Sequence, residues 1–73
     1  MDPPEDALAM AERHVRVGEE QVALQIALIE EMDRDNHHET AAEGRKSLET
    51  LQETLAKARE RLRAEREKRG LDT

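Results

Sequence analysis

Apolar residues recur every three or four positions from Leu8 to Met32, and again from Ala41 to Leu62. That spacing is the period of an amphipathic α-helix. Between the two stretches, Asp33-Arg34-Asp35-Asn36-His37-His38-Glu39 contains no apolar residue at all. The pattern predicts one helix over about 3–34, a turn over about 35–39 and a second helix over about 40–69. Local signals agree with these bounds. Asp2, Pro3 and Glu5 read as an N-cap, a first helical residue and the far half of a capping box. Thr40-Ala41-Ala42-Glu43 reads as a second box. Asn36 tolerates the left-handed conformation that ends many helices. Gly70 supplies a stop after Arg66, Lys68 and Arg69, whose charges suit a helix C-terminus.

A short loop between long helices makes them antiparallel neighbours. The expected fold is therefore all-α, an antiparallel two-helix hairpin resembling a coiled coil. Heptads can be written on both helices. The a and d positions of the first are Leu8, Ala11, Val15, Gly18, Val22, Gln25, Ile29 and Met32. Those of the second are Ala41, Gly44, Leu48, Leu51, Leu55, Ala58, Leu62 and Glu65. Folding about the turn sets Ile29 against Leu48, Val22 against Leu55 and Val15 against Leu62. Gln25 then faces Leu51, and Gly18 faces Ala58 as a small pair that lets the backbones approach. Gln25 either fixes the register or sits at the seam edge in water; the second reading is preferred, because most polar side chains escape burial.

Composition narrows the class. The 73 residues form one domain and include no Cys, Trp, Tyr or Phe, so only a thin aliphatic seam can be filled. Charged residues make up 41 % of the chain, which would suggest disorder without the helical periodicity. Residues 57–73 hold seven Lys/Arg against four Asp/Glu, whereas residues 1–56 hold five against fourteen. An antiparallel hairpin lays the basic end beside Asp2, Glu5, Asp6 and Glu12. The absence of a signal peptide, of an apolar run long enough for a membrane span and of any disulfide framework points to the cytoplasm by elimination.

The first helix is too apolar for one partner. Beside its a/d seam runs a second stripe of Met10, His14, Val17, Gln21, Leu24, Leu28 and Met32, aligned by steps of three and four. A lone hairpin would leave this stripe in water, and contiguous apolar patches mark interfaces. Small single cores are also short of stability. Both arguments favour a homodimer, two hairpins closing a four-helix bundle. Docking of another helical protein is the competing reading.

No catalytic, cofactor or metal site is expected. His37 and His38, with Asp33, Asp35 and Glu39 nearby, are the only metal-ligand types in a cluster. Adjacent loop histidines rarely converge on one ion, so a solvated polar turn is preferred. His14 could make the stripe pH-responsive, but an edge histidine is the plainer reading. The segment 57–69 could contact phosphates weakly, yet Glu60, Glu65 and Glu67 interrupt it, no aromatic residue can stack on a base, and the net charge is −6. No phosphate loop, nucleophile elbow or helical His-Glu-x-x-His occurs, and a two-helix hairpin offers no concave pocket for a small-molecule substrate.

The run Ala11-Glu12-Arg13-His14-Val15, then Gly18-Glu19, Val22, Gln25, Leu28-Ile29 and Arg34-Asp35, resembles a group of short uncharacterised bacterial proteins sharing an AERHV…GE…Q..LI…RDGH pattern. Leu48, Thr50-Leu51 and Thr54-Leu55 resemble their second half. Asn36 stands where that pattern has Gly. The resemblance covers about residues 11–62 and implies a helical hairpin; no activity comes with it.

Overall fold

The computed structural model describes residues 6–70. It contains two α-helices, α1 (Ala7–Arg34) and α2 (His38–Lys68), packed along their length as an antiparallel hairpin. The fold is all-α, as the periodicity predicts.

α1 starts where Asp6 turns extended, with ψ of 174°, and its carboxylate accepts the Ala9 N–H at 2.8 Å. Asp6 is thus the N-cap of the described helix. The expected start at Pro3, with its cap at Asp2 and box partner at Glu5, lies outside the described residues.

The turn is tighter than expected. Asn36 takes the left-handed conformation with φ of 63°. The His37 N–H then reaches back to the Met32 carbonyl at 2.8 Å, and the Asn36 N–H to that of Asp33 at 3.2 Å. This pair of bonds is a Schellman closure. The His37 carbonyl immediately accepts the Ala41 N–H at 2.9 Å, so α2 opens at His38. The anticipated capping box at Thr40–Glu43 is therefore not used: Thr40 already sits inside the first turn. His37 caps α2 through its backbone alone. At the other end Gly70 adopts φ of 69° after Arg69, the expected stop.

Every a and d position assigned from the sequence is at least half-buried, and among the described residues only Ala9 and Asp33 join them. The fully buried apolar residues are few: Ala11, Ile29, Ala41 and Leu55. The hairpin is 15 Å thick, little more than one helix diameter, and so has a seam rather than an interior.

The seam is offset from expectation: Leu55, expected against Val22, lies on Gly18, and Ile29, expected against Leu48, lies against Gly44. Gly18 lies against Leu55 rather than against Ala58 alone: an added Cβ would stand 3.1 Å from Leu55 Cδ1. The larger side chain of α2 fills the space that the glycine leaves. Gln25 does not reach out to water. Its Nε2 donates to the Gly44 carbonyl across the seam at 2.9 Å, using the lone pair that a helical carbonyl has spare. Gly44 permits this, since a Cβ there would meet Ile29 Cγ1 at 3.0 Å and Gln25 Nε2 at 3.4 Å.

Candidate interaction surface

An antiparallel helix pair has two flanks, one on each side of its a/d seam, where e positions face e and g positions face g. Here the two flanks differ in chemistry.

The e flank is lined largely by charged residues. Asp33 of α1 bonds the guanidinium of Arg45 on α2 and lies 3.8 Å from His38 Nδ1. Continuing that register, Arg59 falls opposite Glu19, Arg66 opposite Glu12, and Gln52 opposite Ile26. Arg69 Nη1 meets Asp6 Oδ2 at 3.2 Å, where the start of α1 meets the end of α2. The Ala9 N–H, followed by Arg69, holds the Asp6 carboxyl below its ordinary pKa. Exposed pairs of this kind are individually weak but set orientation.

Among the described residues, no ion pair between the two helices is found on the g flank. It holds the stripe read from the sequence. Met10, Val17, Leu24 and Leu28 are exposed, Leu24 at 71 %; His14 and Gln21 are also exposed and Met32 is half-buried. On the α2 side the facing g and c positions are Ser47, Thr50 and Thr54, then Lys57 and Arg61. Between the helices a hollow of about 370 Å³ opens at Gly18, floored by Leu55 and Ala58 and rimmed by Val17, Lys57 and Arg61. A second hollow of about 270 Å³ continues it toward Met10, Ala11 and Glu65.

Sequence reasoning missed the α2 contribution to this face, although its signal was available: Thr54, Lys57 and Arg61 occupy the positions that an antiparallel register sets opposite Gln21, Val17 and His14. It also passed over Ile26, which is 40 % exposed on the e flank.

The other candidate groups are placed differently. His37 contributes its backbone to the turn, His38 turns toward Asp33, and His14 lines the hollow, well along α1 from both. Among the described residues no three His, Cys, Asp or Glu side chains converge as a metal set. The cations of residues 57–69 are divided: Lys57 and Arg61 on the g flank, Arg59 and Arg66 at e positions, Arg63 exposed on the outer side, Lys68 3.5 Å from Glu65 and Arg69 on Asp6. They do not make one basic face. No helix among the described residues is long and apolar enough to cross a membrane. No family model, curated protein or solved structure matches the chain.

Proposed function

We propose that this chain is a non-enzymatic interaction module whose g flank, built on Met10, Val17, Leu24 and Leu28, joins two copies into a four-helix bundle. The carrying observation is the asymmetry of the flanks: one is lined by charged residues and carries the Asp33–Arg45 ion pair, and the other presents exposed large apolar side chains beside an apolar hollow. The hollows are open grooves on a single layer, unsuited to the desolvation that catalysis needs. A cytoplasmic, cysteine-free scaffold that holds or regulates other proteins through its outer charged surface fits this design.

The test is the mass in solution, by light scattering after gel filtration, of the wild type and of Leu28→Glu. A wild-type dimer that the substitution converts to a folded monomer supports the proposal. A wild-type monomer overturns self-association and leaves the g flank as a docking site for a helix of another protein.

A further inference from the structure

Three features of the g flank can each be located along α1, and they share one midpoint. The apolar stripe runs from Met10 to Met32 and is centred near Gln21. The hollow at Gly18 is a socket, and Leu24, the most exposed large apolar residue, is a knob about one and a half turns away on the same face. Knob and socket lie on either side of Gln21. Charge makes the third gradient. At the turn end the c and g positions of the helices carry Glu31 and Glu43, with Asp35 just past α1, and no cation. At the open end they carry Lys57, Arg61 and Lys68, of which Lys68 lies 3.5 Å from Glu65 of its own helix. In the antiparallel register these two clusters also balance about the level of Gln21 to Leu24.

A face with a socket on one side of a point, a knob on the other, and opposite charges at its two ends is complementary to itself after a half turn about that point. We propose that the occupant of the g flank is a second copy of this chain lying antiparallel, with the two-fold axis passing near Gln21–Leu24. This rests on the self-association proposed above and adds its geometry. Leu24, with Leu28 behind it, enters the hollow at Gly18 of the second copy. Lys57 and Arg61 on the hollow's rim meet Glu31 of that copy, and Lys68 lies toward Glu43. Each contact occurs twice. A parallel dimer would instead set knob against knob and place like charges together at both ends, which is unfavourable.

Because the chain has no cysteine, single introduced thiols report the orientation. Gln21→Cys lies near the axis and is expected to cross-link to its counterpart under mild oxidation. Met10→Cys lies eleven residues from Gln21, so two copies of it stand roughly 33 Å apart in the antiparallel dimer, far beyond disulfide reach, and are expected to stay reduced. Efficient cross-linking of Met10→Cys in a wild-type-like dimer would overturn the antiparallel geometry while leaving self-association intact. A wild type that is monomeric before any thiol is introduced would overturn both. The second measurement is the dimer dissociation constant by sedimentation equilibrium. Reversing Lys57 and Arg61 to Glu sets acid against acid and is expected to weaken the antiparallel dimer about tenfold or more. Adding Glu31→Lys to the same chain restores opposite charges across the contact that Lys57 and Arg61 make, and is expected to restore the affinity. An unchanged constant on reversing Lys57 and Arg61 would also sink the proposal.

Discussion

At the residue scale, the two seam glycines have different reasons for being there. In a helix interior each costs about 1 kcal/mol relative to alanine, so the sign of a Gly→Ala change depends on what the new methyl meets. At Gly44 it meets the middle of the Ile29 side chain at 3.0 Å and the bonded amide of Gln25 at 3.4 Å, and neither can withdraw without opening the seam. Overpacking of this kind costs ~1–3 kcal/mol. Gly44→Ala is therefore expected to lower stability by about 1 kcal/mol net in urea melts at fixed protein concentration. At Gly18 the methyl meets the tip of Leu55 at 3.1 Å, and the adjoining hollow gives that tip somewhere to go. Gly18→Ala should be neutral or slightly stabilising to the hairpin. Equal losses at both positions would show that backbone approach, not side-chain room, governs the seam. The contrast marks a limit of the sequence pattern. Periodicity placed both glycines on the seam correctly, because burial follows the period. It did not show that Leu55 would lean onto Gly18 or that Gln25 would turn inward to the Gly44 carbonyl. Those outcomes depend on how far one helix is slid along the other, here by about a turn from the expected pairing, and heptad positions do not encode that offset.

At the scale of the element, helix existence was legible throughout and the ends were legible in part. Asn36 and Gly70 announced the left-handed stops they make, since few other residues reach positive φ at so little strain. The start of α2 was misjudged because Thr40–Glu43 is a good capping box in isolation; the Schellman closure at Asn36 hands the backbone from Met32 through His37 directly into α2, and no room remains for a cap three residues later. It follows that Thr40→Ala should leave stability nearly unchanged, whereas Asn36→Ala should cost ~1–2 kcal/mol, both read from thermal melts. Asn36→Gly should match or exceed the wild type, glycine having no side-chain strain at φ of 63°. A large loss at Thr40 would mean that α2 begins later than His38. The Asp6 cap adds a pH signature. Its carboxyl is held below the ordinary value of 3.8 by the Ala9 N–H and then by Arg69, so folding favours the ionised form. Its contribution is complete above about pH 4, where the unfolded chain is also ionised, and disappears as pH falls through the lower folded value. The stability gap between wild type and Asp6→Ala should accordingly be constant from pH 5 to 7 and close below pH 4. A gap that widened on acidification would reverse the assigned sign.

At the scale of the whole molecule, the decisive question is why one exposed apolar residue marks an interface and another does not. Ile26 and Leu24 are both large and exposed, at 40 % and 71 %, and they stand two residues apart on α1. Ile26 occupies the e flank, among the charges of Glu19, Arg59, Asp33 and Arg45, where a partner would have to desolvate ions to reach it. Leu24 occupies the g flank, among Val17, Leu28, Thr50 and Thr54, where a partner gives up little. Exposure alone does not separate them; their surroundings do. The two substitutions Ile26→Ser and Leu24→Ser remove similar apolar surface from the same helix with similar changes in helix propensity. In a dimer closed through the g flank, Leu24→Ser removes a buried anchor twice, once from each copy, and such anchors carry most of the affinity of an interface. Its dissociation constant should rise by at least about a hundredfold, at ~1.4 kcal/mol for each lost anchor. Ile26→Ser should leave the constant within about threefold, and the melting temperature of both variants should become comparable once the protein is diluted to its monomeric form. Equal weakening by the two substitutions would mean that the copies meet across both flanks and that the ion pairs at Asp33 and Arg45 do not guard the e side. Weakening by Ile26→Ser alone would move the interface to the opposite face of the hairpin.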